Sequence, residues 1–197
     1  MMRMIASERL KYKRSFARRL AIAAPLFFVL YGAVIRFLLP DRSSLPWDLL
    51  LSMIFNWWPV LFVPMGTALL CTLAELRERK AGNYRGLRSH NISMPKLWVG
   101  KILVIGYYML ASSVVLIFAA IAAGLLTAGG NVPLASIAGS SLLIWLVSLG
   151  LIPVHLFAAA RFGAFGGLAS GIAGIVAGVL AADRPFWIAV PWSWPIR

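Results

Sequence analysis

The sequence predicts an all-α, polytopic transmembrane helix bundle preceded by an interfacial amphipathic helix. Three observations carry this. The 197-residue chain is 61% hydrophobic and only 13% charged, against about 45–50% apolar and about 25% charged in a soluble domain. The apolar residues fall into about five long runs, each near the roughly 20 residues that a bilayer crossing needs. The cations are concentrated: residues 1–19 hold seven Lys/Arg and residues 75–101 hold seven more.

The net charge of +13 is not that of a nucleic-acid binder. The basic residues flank apolar spans instead of covering a soluble domain, and the bias of Lys/Arg toward cytoplasmic loops accounts for them. The single cysteine, Cys71, reads as a small apolar residue in a helix. The N-terminus mimics a signal peptide. Arg36 and Pro40 follow the first apolar run without a small-residue cleavage site, so a retained first helix is expected.

Residues 2–19 read as an amphipathic helix in which Met4, Ile5, Leu10, Tyr12 and Phe16 alternate with cations that favour anionic headgroups. Span one runs from about Leu20 to Leu39, with Arg36 near enough to its outer end to snorkel. A short external loop at Pro40–Ser44 follows, and Pro46 can start the next helix. Span two, Leu49 to Leu73, contains Asn56, Trp57, Trp58, Pro59 and Pro64. Prolines this close kink or unwind a helix. Such a break is tolerated beside packed neighbours or a cavity. The helix continues into the inner loop, 74–96, where Glu75 and Arg79 have i,i+4 spacing and Gly82 offers a stop. Ser93 reads as an N-cap with Pro95 in the first turn of span three.

Span three, Leu97 to about Ala128, exceeds a bilayer thickness and must tilt or protrude. Gly129-Gly130-Asn131-Val132-Pro133 is a tight external turn. Span four, Leu134 to Ala160, holds Pro153 and His155. Arg161 marks a very short inner turn, and span five is Phe162 to Ala182. The proline- and tryptophan-rich tail reads as an outer interfacial segment. The resulting organisation is a cytosolic interfacial helix (1–19), a transmembrane domain (20–182) and an extracellular interfacial tail (183–197). With the N-terminus cytosolic, fifteen of the 19 Lys/Arg lie inside.

No catalytic or metal-ligand spacing is present: there is no H-E-x-x-H, G-x-S-x-G or P-loop pattern. An enzyme and a resident cofactor are therefore not expected, and any energy for transport comes from another chain. His155 reads as a polar residue facing a neighbouring helix. Span five carries two rows of small residues, Gly163/Gly167/Gly171 and Gly166/Ser170/Gly174/Gly178, a pattern for close helix approach. The broken, aromatic stretch Asn56-Trp57-Trp58-Pro59 is the candidate substrate path. The loop between spans two and three is where an engine outside the chain would act.

Three stretches resemble the permease subunits of lantibiotic self-immunity ABC transporters, within the type-2 ABC permease superfamily. Glu8-Arg9-Leu10-Lys11-Tyr12-Lys13-Arg14 leading to Pro25 is similar to the family's E-x-L-K-x-K-R opening. Asn56-Trp57-Trp58-Pro59 through Gly66 is similar to its Trp- and Pro-rich second span. Glu75 to Lys101, with Glu78, Gly82, Leu87 and Pro95, resembles its loop, departing at Arg88-Ser89-His90 where Leu-Ser is usual. Pro191-Trp192-Ser193-Trp194-Pro195 is also similar. The resemblance implies a coupling helix after span two, with ATPase coupling at Glu75, Glu78, Tyr84, Leu87 and Arg88, and a sixth span after the five visible. It further implies a separate ABC ATPase subunit, a second permease subunit in a homo- or heterodimer, and a cationic peptide cargo drawn from the lipids of the bacterial cytoplasmic membrane. A type-2 permease for another lipid or drug, or an ATPase-free immunity or scaffold protein, is the alternative.

Overall fold

The computed structural model describes residues 2–12, 15–38, 45–82 and 93–197. The expected loop at Asp41 and Arg42, and Tyr84, Leu87, Arg88 and His90 of the inner loop, lie outside the described residues. Among the described residues, seven α-helices follow one another: α1 (Met2–Lys11), α2 (Phe16–Leu38), α3 (Trp47–Trp57), α4 (Val63–Lys80), α5 (Met94–Thr127), α6 (Leu134–Ser148) and α7 (Leu151–Ala182). A two-residue parallel bridge joins β1 (Leu45–Pro46) to β2 (Ala128–Gly129). Among the described residues, four stretches could each cross a membrane by length and composition: 16–35, 47–80, 94–127 and 151–182.

α7 is a hairpin and not one crossing. Gly163 has φ 76° inside its 32 residues, a conformation open to glycine at little cost. The His155 ring lies 2.7 Å from Ser170 Oγ, whereas residues 15 apart on a straight helix are about 22 Å apart. A Cβ on Gly167 would sit 3.1 Å from Ala159, so the arms 151–162 and 164–182 run antiparallel. The first arm extends α6 through Leu149 and Gly150, both right-handed helical in φ/ψ. This yields the expected five-pass order, with the turn beside Arg161.

The proline pair in span two produces a π-helical turn, Trp58–Phe62, closed by Val63 N–H donating to the Trp58 carbonyl. Pro64 can neither donate to the carbonyl of residue 60 nor sit against it, and the wider turn absorbs the mismatch. The helix is re-registered without unwinding. Gly82 ends α4 with φ 100°, the left-handed stop expected. Ser93 takes the N-cap position of α5, although its hydroxyl makes no capping bond.

One expectation is corrected. The first helix stops at Lys11 and α2 already begins at Phe16, so Arg18 and Arg19 belong to the first turn of span one. Glu8 of α1 and Tyr12 just after it are buried, while Leu10 is 66% and Phe16 59% exposed. The tail also packs into the bundle beyond a purely interfacial position: Ser193 is fully buried, and Trp192 packs on Gly174 and Gly178.

One end of the bundle gathers the C-termini of α1 and α4, the start of α5 and the Gly163 turn. The opposite end carries the β1–β2 bridge and the tail. Leu50, Ile54, Trp58, Ile105, Leu116 and Leu156 fill the core between them. Ile22, Leu26, Leu30, Leu103, Phe118 and Phe165 face outward, as lipid-facing side chains do.

Candidate functional site

The first candidate region is the charged end. Glu75 and Glu78 are one turn apart near the end of α4 and share a face. Both point into the bundle, at 3% and 5% exposure. Lys101, two turns into α5, reaches Glu75 with Nζ–Oε2 3.1 Å, and both side chains are buried. Lys11 of α1 bridges Glu8 at 2.6 Å and Glu78 at 2.5 Å. Burial by itself would lower the Lys11 pKa. The hydrogen bonds and charges of Glu78 and Glu8 reverse this, and it is raised above its ordinary 10.5.

Tyr12 completes the layer. Its ring stacks on Tyr108 at 4.8 Å, with the Arg77 guanidinium 4.6 Å from its centroid. Burial pushes its phenol pKa up. Among the described residues no salt bridge joins Glu75 to Arg79, the pairing expected from their spacing. Arg79 points the other way and donates to the Ala160 carbonyl at 2.6 Å and the Ala159 carbonyl at 3.3 Å, two of the last four carbonyls before the Gly163 turn. A guanidinium satisfies such orphan acceptors well. The lysine buried at position 101 is a closer and drier partner for Glu75 than an exposed arginine one turn away.

The expected coupling residues therefore divide. Glu75 and Glu78 are clamp residues on the inner face of α4. Tyr84, Leu87 and Arg88 lie outside the described residues. Lys11 and Lys101 were missed as partners because helix spacing relates residues of one element only. The unusual burial requirement of a lysine inside an apolar helix was the available signal for Lys101.

The second region is an open groove of about 660 Å³ at the opposite end, lined by Asn56, Trp57, Val60, Val179, Asp183 and Arg197 among others. The volume lies in the range of small-molecule sites. Of the four predicted path residues, the structure brings Asn56 and Trp57 to this groove. Trp58 and Pro59 are buried on the bundle side, where Trp58 stacks on Phe62 at 4.3 Å and meets Phe28 edge-on at 5.8 Å. Consecutive helical residues are about 100° apart, so adjacent tryptophans cannot share one surface.

The glycine rows also divide by partner. Gly163 lies against Arg79, and a Cβ on Gly167 or Gly171 would enter Thr72 or Ala68 of α4. Gly174 and Gly178 instead receive Trp192. The Trp192 indole N–H donates to His155 Nε2 at 3.3 Å. Ser170 donates to the Gly167 carbonyl and so accepts from His155 Nδ1–H. This chain of bonds selects the neutral Nδ1–H tautomer. Among the described residues no group of three or more His, Cys, Asp or Glu could hold a metal ion.

An all-helical bundle with several apolar, outward-facing helices and one charged end defines the class: a multi-pass membrane protein. The family model for ABC-2 family transporter proteins matches residues 4–178, and the chain belongs to that family. It is a membrane permease subunit of an ABC transporter, and the family implies an ABC ATPase partner and assembly as a dimer. No curated protein and no solved structure matches the chain.

Proposed function

We propose that this permease subunit expels a lantibiotic-type cationic peptide from the bacterial cytoplasmic membrane, protecting the cell that makes or meets it. The N-terminus and the charged end face the cytosol, and the loop at 74–96 receives the ATPase. One observation carries the coupling reading. The stem of this loop, α1 and the start of α5 are joined by the Lys11–Glu78 and Lys101–Glu75 pairs. A push on the loop thus reaches two crossings and the interfacial helix together. The basic segments converge at this end, which favours its cytosolic placement. The peptide reading is supported by the sequence likeness and by the outer groove, where Asn56 and Trp57 offer an amide and an amphipathic ring to an amphiphile.

Cys71 is the single cysteine and is buried, so cysteines placed at Tyr84 and Leu87 can be addressed selectively. Crosslinking from these positions should trap the co-expressed ATPase. Crosslinks confined to lipid or to this chain would remove the coupling assignment. For the cargo, sensitive cells expressing the permease and ATPase should survive higher concentrations of a lantibiotic. Unchanged survival, with the assembled complex present in the membrane, would reject the peptide reading while leaving the coupling assignment standing.

A further inference from the structure

We infer that the corner at the start of α2 is a binding site for the phosphate headgroup of one anionic phospholipid. A cavity of about 270 Å³ there is lined by Ser15, Arg18, Arg19 and Ile22. The two arginines are adjacent and exposed. Among the described residues no ion pair includes either. The carboxylates that could have served them at this end are committed elsewhere: Glu8 and Glu78 hold Lys11, and Glu75 holds Lys101. The first turn of α2 contains no acidic residue. Two cations in that turn repel the positive end of the helix dipole, and an external anion removes the conflict.

The corner itself is fixed. Ser15 Oγ donates to the Tyr12 carbonyl at 2.8 Å, and the Ser15 carbonyl accepts from the Arg18 and Arg19 amides. Tyr12 is in turn buried against Tyr108, so the position of the arginines is set by the folded bundle. Guanidinium groups match phosphate oxygens in charge and in planar donor geometry.

The surface below the arginines selects the source of the phosphate. Arg18, Ile22, Leu26, Leu30 and Val34 form an i,i+4 row along α2. The four apolar members are 46%, 48%, 63% and 47% exposed. A phosphodiester held by the arginines would place an acyl chain along this row. A free phosphate would use the arginines alone. The site is independent of the cargo and of the ATPase-coupling reading.

The test uses the full chain in detergent micelles carrying mixed phosphatidylglycerol and phosphatidylcholine, with retained lipids counted by native mass spectrometry. Wild type should retain one phosphatidylglycerol in preference to phosphatidylcholine. Attraction to anionic lipid per Arg near a membrane surface corresponds to about fivefold in binding. Arg18→Gln with Arg19→Gln should therefore reduce retention about 25-fold. The control pair Lys80→Gln with Lys96→Gln, both exposed at the same end, should leave it unchanged. Where the double variant fails to fold, Arg18→Gln and Arg19→Gln singly should each show about a fivefold loss. Equal losses in the control pair would overturn the site in favour of a diffuse surface field. Displacement of the lipid by excess inorganic phosphate, itself retained, would overturn the lipid assignment in favour of a free-anion site.

Discussion

At one end of the bundle Lys11 and Lys101 hold three buried carboxylates, Glu8, Glu75 and Glu78. At the other, Trp192 lies on Gly174 and Gly178 and gives one hydrogen bond to His155. The first closure depends on charge in a low dielectric. Removing a lysine takes the paired cation from a buried carboxylate, and the cost is large. The second depends on shape: Gly174 makes room for the indole and Gly178 for the Trp192 backbone. A charge clamp is close to all-or-none. An aromatic plug loosens in steps. The two ends of one hairpin-rich bundle thus solve the same problem, sealing helix ends, with different sensitivity to mutation and pH.

The largest expected effect comes from the clamp. Lys101→Met should destabilise the protein by about 3–5 kcal/mol, because Glu75 loses its buried cation. Lys101→Met with Glu75→Leu should recover most of this. Thermal unfolding in detergent reads both, and equal losses in the single and double variants would break the comparison.

Trp58→Ala removes a buried ring and should cost about 3–5 kcal/mol. Trp57→Ala, 43% exposed on the groove, should leave the melting temperature nearly unchanged while lowering protection against the peptide. Reversed sensitivities would place the cargo route away from the groove. Gly167→Leu must intrude on Thr72 and should cost about 1–3 kcal/mol or more, against little change for the outward Val176→Leu.

A smaller effect follows from Lys11. Its folded pKa lies above 10.5, so its contribution is complete below 10.5 and is lost as pH rises through the folded value. Proteolytic release of α1 should begin only in that alkaline window, and Lys11→Met should abolish the pH dependence. Smallest is Trp192→Phe, which keeps an aromatic ring at this position but removes the pyrrole part of the indole with its N–H donor to His155. A loss of about 0.5–1.5 kcal/mol is expected. A loss as large as that of Lys101→Met would show that the plug is held by polar bonds and not by shape.

Much of the architecture was readable before folding. Pro46, Gly82, Ser93, and the Arg161–Gly163 turn punctuate the helices where the sequence places the breaks, because proline, glycine and caps act on local backbone. The site was half readable. Asn56 and Trp57 reach the groove, but the same apolar run could not show that Trp58 turns inward. Glu75 was paired within its own helix because spacing sees only i+3 and i+4 neighbours, and its actual partner lies 26 residues away.

By itself the sequence determined the five-pass order, the alternation of cationic and apolar segments and the places where the helices must break. These follow from transfer free energies and backbone sterics, which each segment carries alone. The tertiary structure decided which carboxylate meets which lysine, which glycine row receives a helix and which receives Trp192, and which of two adjacent tryptophans faces the groove. Those outcomes depend on the rotation of each helix about its own axis. That rotation is set only when all the neighbouring faces pack at once.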